Sequence, residues 1–187
     1  MRKTTSGFTI VELLIVIVVI GILATVTVVA YNGIRTRAEN NKTIAAAQAW
    51  YKAFKLYETD NGELPHTAYD SCLGEDYVWD YDGATSGTNQ CRYATTSYYI
   101  KKINIQNVLK QYLGNGAVPT PSMQVIGGAT NWSRGLLYIA PAVGGSFTLM
   151  MVIANESTCP TVAGQTAITS AVTGGVNCNY ILGQRLR

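Results

Sequence analysis

Between Leu13 and Ile34 the chain carries no charged residue, and the run LLIVIVVIGILATVTVVAY is long enough to cross a bilayer core, which takes about 20 apolar residues. A stretch of this kind is either a membrane element or a targeting signal, and whatever follows must build its core without it. Charged residues make up only 13 % of the 187 residues, about half the usual ~25 %, while 48 % are apolar. The remaining length suits one domain, since a single core typically serves about 100 to 200 residues.

An ordinary secretory signal would use Arg2 and Lys3 as its basic region and Val28-Val29-Ala30 as its cleavage site. Three features disfavour it. The apolar run exceeds the usual h-region of about 7 to 15 residues. Glu12 stands at its entrance, and the sequence after Ala30 continues in a helical pattern. A carboxylate in hydrocarbon costs about 2.5 to 3.5 kcal/mol on insertion scales, so Glu12 needs an outlet. It can snorkel to the interface, take up a proton, or meet a cation from another chain. A chain cut between Gly7 and Phe8 would start with an α-amino group one helical turn from Glu12, and in a staggered bundle the amine of one subunit could neutralise the Glu12 of its neighbour.

The segment Lys3-Thr4-Thr5-Ser6-Gly7 followed by Phe8-Thr9-Ile10-Val11-Glu12-Leu13-Leu14-Ile15-Val16 resembles the leader and first residues of type IV prepilins. In that family a membrane peptidase cuts after the glycine and methylates the new N-terminal phenylalanine, and the glutamate at the fifth mature position guides assembly. The resemblance places cleavage at Gly7 and Phe8, N-methylation at Phe8, and assembly on Phe8 and Glu12. It implies an α+β fold in which a long N-terminal helix, half hydrophobic and half amphipathic, carries a C-terminal antiparallel sheet. The organisation expected is a leader over 1–7, a membrane or filament-core helix over 8–34, its amphipathic continuation over 35–61 and a globular head over 62–187. The expected partners are the membrane, further copies of the chain in a helical filament, a prepilin peptidase, a platform protein and an assembly ATPase. The subunit would sit first as a single-pass protein of the cytoplasmic membrane and then in an extracellular pilus. A pseudopilin of type II secretion and a monomeric exported binding domain with an N-terminal anchor are the alternatives.

One departure from the family concerns proline. Many pilins carry one within the membrane-spanning helix, whereas the first here is Pro65. Gly21 and Gly33 are the helix-weakening residues in or beside the apolar run, so a bend is expected near Gly21, unless that glycine serves close packing between helices. Basic residues flank the run on both sides, Arg2 and Lys3 before it and Arg35, Arg37 and Lys42 after it, so they do not set the topology. The cysteines do. Cys72, Cys91, Cys159 and Cys178 form no C-x-x-C pair, and the lone His66 offers no metal partner, which disfavours zinc. They read as two disulfides in a domain that folds outside the reducing cytoplasm. Of three possible connectivities the sequential one, Cys72 with Cys91 and Cys159 with Cys178, is expected.

Beyond the apolar run, Ile34, Ala38, Ala45, Ala49, Ala53 and Tyr57 keep a three-to-four spacing, which predicts an amphipathic continuation of the helix to about Asp60. Asn61-Gly62 supplies the stop, and Trp50, Phe54 and Tyr57 are expected to pack under the head. A helix is expected from about Ile105. Strands are expected at Met123 to Ile126, Leu136 to Ala140, Phe147 to Ala154 and Asn177 to Leu182, forming one short sheet across the amphipathic half of the helix. Asp70, Glu75, Asp76, Asp80 and Asp82 concentrate before Gly83 without the ligand order of a calcium loop, so a solvated loop is expected there and no metal.

Removing the first seven residues leaves 12 basic against 11 acidic groups, and Lys101, Lys102 and Lys110 read as a solvated helix face, so no nucleic-acid partner is expected. No nucleophile elbow, phosphate loop or second histidine is present to build a catalytic site. The sequence therefore points to a structural protein that needs no cofactor.

Overall fold

The computed structural model describes residues 7–66, 70–75, 90–94, 97–100, 103–114, 116–128, 131–141 and 143–185. The chain divides into two compact units, Met1–Arg37 and Ala38–Arg187. The elements, in chain order, are α1 (Ile10–Asn61), β1 (Ser71–Cys72), β2 (Gln90–Ala94), β3 (Ser97–Ile100), α2 (Ile103–Leu109, followed by a 3₁₀ turn over Lys110–Tyr112), β4 (Val125–Gly128), β5 (Asn131–Arg134), β6 (Leu136–Ile139), β7 (Ser146–Ala154), β8 (Ile168–Val172) and β9 (Gly175–Gln184). This is an α+β chain with a long N-terminal helix and antiparallel strands behind it.

Helix α1 ends where a left-handed residue is needed. Gly62 takes φ 78° and its N–H donates to the Glu58 carbonyl at 2.8 Å, a conformation that costs glycine no Cβ clash. Within the second unit the buried stripe of α1 is Asn40, Thr43, Ala46, Ala47, Trp50, Tyr51, Ala53 and Phe54, while Ala45 is exposed. The stripe is therefore rotated from the one that alanine spacing predicts. Two polar residues cause the difference, because each satisfies its side chain against the head. The Asn40 amide donates to the Ala154 carbonyl at 2.9 Å and accepts from the Ala154 N–H at 3.1 Å. Thr43 Oγ1 accepts from the Ser122 N–H at 3.0 Å. Burial with full hydrogen bonding removes the penalty that a hydropathy count assigns to such groups.

Five strands form one antiparallel sheet in the order β1-β6-β7-β9-β8. Period-two alternation splits the long central strand β7 cleanly. Phe147, Leu149, Met151 and Ile153 join the core that includes Trp50 and Phe54 of α1, with Leu136, Tyr138, Val176, Cys178, Tyr180 and Leu182 from the neighbouring strands. Phe54 stacks on Tyr138 at 4.5 Å between centroids, and Trp50 donates its indole N–H to the Pro119 carbonyl at 2.8 Å. Tyr57 is half-buried and meets Tyr112 edge-on at 5.7 Å.

The opposite face of β7 is also covered, which the single-sheet expectation did not include. A second sheet, in the order β3-β2-β5-β4, lies over β6 and β7 through a separate cluster of Cys72, Cys91, Ile126, Leu137, Met150, Val152 and Ala154. The head thus has three layers: helix, five-stranded sheet and four-stranded sheet. Gly127 lets β4 lie close against β5 of its own sheet, and its N–H ties β4 to the first sheet. A Cβ there would sit 2.3 Å from the Asn131 carbonyl, and the Gly127 N–H donates to the Thr173 carbonyl in the β8–β9 turn at 2.7 Å. Cys72 and Cys91 are bridged, joining β1 of the first sheet to β2 of the second. Cys159 and Cys178 are bridged as well, fixing the segment before β8 to β9.

Candidate functional site at the N-terminal segment

The N-terminal segment is built from a helix start. Thr9 precedes the first helical residue, and its hydroxyl accepts from the Glu12 N–H at 3.3 Å, while Glu12 Oε2 accepts from the Thr9 N–H at 2.8 Å and from the Thr9 hydroxyl at 2.7 Å. This reciprocal arrangement is a capping box, which satisfies donors that a helix start would otherwise leave open. The carboxylate also sits at the positive end of the helix dipole. Its signature, Thr-x-x-Glu ahead of an apolar run, is written in the sequence at Thr9 and Glu12. Glu12 therefore has a local role at the helix start, and its partners among the described residues are hydrogen-bond donors of Thr9.

Gly7 and Phe8 lie before the helix in irregular, exposed backbone, with Phe8 82 % exposed. From Ile10 through Leu23 the large apolar side chains all remain exposed. One window within Ile10–Asn61 is long and apolar enough to cross a membrane, and none of it is buried by the rest of the chain. The threonines inside the run hide their polarity locally: Thr25 donates to the Ile22 carbonyl at 2.7 Å and Thr27 to the Ala24 carbonyl at 2.9 Å. That is how a hydroxyl is carried in a segment without water. Gly21 is helical, and a Cβ there would meet nothing within 4 Å, so no contact within the chain requires glycine at that position.

Among the other expected features, Cys72, Cys91 and Cys178 are fully buried, and Cys159 is half-buried. His66 stacks edge-on against Phe147 at 5.4 Å and approaches Glu63 at 3.9 Å. No cluster of three metal-ligating side chains occurs among the described residues. Asp70 accepts from the Ala140 N–H at 2.9 Å, and Glu75 is exposed, whereas Asp76, Asp80, Asp82, Lys101 and Lys102 lie outside the described residues.

The long N-terminal helix followed by antiparallel strands is an α+β architecture like that of pilins. The family described as prokaryotic N-terminal methylation motif matches residues 2–28. The chain is similar to the type II secretion system core protein G of Aeromonas hydrophila, 35 % identical over 66 residues that cover 35 % of this chain and 46 % of that protein. It is also similar to a fimbrial protein of Neisseria meningitidis serogroup B, 38 % identical over 35 % of this chain and 38 % of the relative. The type IV major pilin protein PilE of Neisseria gonorrhoeae is 27 % identical over 57 % of this chain and 54 % of its own length. The matches thus span about half, or less, of the curated relatives. No solved structure matches.

Proposed function

We propose that this chain is the precursor of a structural subunit of a type IV pilus-like filament. Its leader, residues 1–7, is removed between Gly7 and Phe8, the new amino group of Phe8 is methylated, and the helix over 8–34 polymerises with those of other copies. The amphipathic part over 35–61 carries the head over 62–187. The observation that carries this reading is the apolar helix with no cover inside its own chain, headed by one carboxylate and matched over residues 2–28 to the methylation motif.

The chemistry is done to the protein and not by it. Cutting at Gly7 removes Arg2 and Lys3 and creates the cation that Glu12 lacks, so the neighbour's amine and Glu12 can enter an apolar environment as a neutral pair. A prepilin peptidase, a membrane platform and an assembly ATPase act on it. The chain rests in the cytoplasmic membrane before assembly and in an extracellular filament after it. A short pseudopilus is the second reading, favoured by the likeness to type II secretion core protein G.

Two measurements test the proposal together. Intact mass and N-terminal sequencing of the mature protein should show a start at methylated Phe8; a start at Tyr31 or an uncut Met1 refutes it. Glu12→Ala should leave membrane insertion intact and abolish filaments, and normal filaments from that variant would sink the assembly role. Long surface filaments containing the chain would separate pilus from pseudopilus.

A further inference from the structure

Strand β8 closes the five-stranded sheet on one side, and among the described residues no strand lies beside its outer edge. Ile168, Thr169, Ser170 and Ala171 are all exposed, so both faces of this strand meet solvent, unlike those of β7. Natural sheets blunt such edges with charge, proline or a bulge, because open backbone donors and acceptors recruit other strands. None of these protects β8. Its pairing with β9 is regular from Ile168↔Asn179 to Val172↔Gly175, and no charged residue occurs between Glu156 and Arg185. The other side of the sheet offers less, since β1 is two residues long and bridged through Cys72.

We infer that the β8 edge is a self-pairing surface through which the heads of two copies of this chain join, antiparallel about a two-fold axis at Ser170. The strand's own sequence selects the occupant. Read against itself in that register, Ile168 faces the second copy's Val172, Ser170 faces its counterpart, and Thr169 faces Ala171. Both ends of the junction set Ile168 against Val172 and its centre sets hydroxyl against hydroxyl, cross-strand pairs of the kind that stabilise antiparallel sheets, while the small Ala171 leaves room for Thr169. A slip by one residue would set the outward-facing and inward-facing sets against each other and lose this match. The uncharged segment brings no repulsion when two identical edges approach. Ile181, diagonal to Ile168 across the β8–β9 pair and 46 % exposed, widens the apolar ground beside the junction. This contact stands on the head alone and does not depend on the filament reading. An isologous contact closes on itself, so in a filament it would join neighbouring filaments and could not be the helical repeat.

The test is thiol cross-linking of the full chain in detergent micelles. Ser170→Cys should give disulfide-linked dimers, mapped by mass spectrometry to the two introduced thiols, several-fold above Thr161→Cys, an exposed control off the strand. Association through α1 brings heads together equally in both variants, so the contrast reports β8. Mixing Thr169→Cys chains with Ala171→Cys chains should also cross-link, which fixes the register independently. Adding Ala171→Lys to Ser170→Cys should reduce the yield to the control level with an unchanged unfolding midpoint. Equal yields at positions 170 and 161, or a yield indifferent to the lysine, would overturn the inference.

Discussion

Removing the Cys72–Cys91 bridge should release the second sheet while leaving the helix and first sheet together. The bridge closes a loop of sequence separation 19, as does Cys159–Cys178. The chain-entropy estimate for a loop of that size is about 3 kcal/mol for either bridge. A domain the size of the head has on the order of 10 kcal/mol of stability, so Cys72→Ala with Cys91→Ala should fold and unfold at lower denaturant. The two bridges differ in what they hold. Cys72 and Cys91 belong to the small cluster of seven buried residues that joins the two sheets, whereas Cys178 belongs to the large core beneath α1. Loss of the first bridge should therefore raise amide hydrogen exchange in β4 and β5 well before β7 and β9, and loss of the second should not. Urea unfolding gives the global cost and exchange mass spectrometry gives its location. A cost below about 1 kcal/mol, or exchange rising evenly through both sheets, would refute the idea that the second sheet depends on this bridge.

Asn40→Ala would leave the Ala154 N–H and carbonyl buried without partners and should cost about 2 to 3 kcal/mol in urea unfolding. Thr9→Ala removes the hydroxyl half of the capping box and should speed amide exchange in the first turn of α1 with no effect on the head. Burial pushes the Tyr180 hydroxyl up to about 12, while in the unfolded chain it ionises near 10. The folded form therefore holds its proton where the unfolded form releases it. The associated stability is full below about pH 10 and falls as pH rises toward 12, and Tyr180→Phe should flatten that decline while losing the hydrogen bond to the Pro160 carbonyl.

The strands that could be read from the sequence are those with long apolar runs. Leu136–Ile139 and Ser146–Ala154 match the expectation closely because both of their faces are buried. β5 and β8 were hidden for opposite reasons. Asn131-Trp132-Ser133-Arg134 looks like a turn, yet it pairs with β2 on one side and β4 on the other, and only Ser133 is buried. Ile168–Val172 lies in a Ser- and Thr-rich stretch and buries almost nothing, so no hydropathy pattern marks it. The rotation of the buried stripe on α1 was invisible because Asn40 and Thr43 find their partners far along the chain, at Ala154 and Ser122. At the N-terminus the place of Glu12 in the first turn of the helix was legible from residue order alone. The capping box was equally legible, since it needs nothing beyond four consecutive residues.

The middle sheet also acts as a partition. Side chains of β7 that touch α1 and those that touch the second sheet belong to the same strand but never share a face. With sheets packed about 10 Å apart, Trp132 on the second sheet is separated from Trp50 on the helix by a full layer of hydrogen-bonded backbone. A substitution in β4 or β5 can therefore change what the head displays while the packing that holds the head to its helix stays the same. The surface that β4 and β5 present and the joint between helix and head are thus carried by different layers.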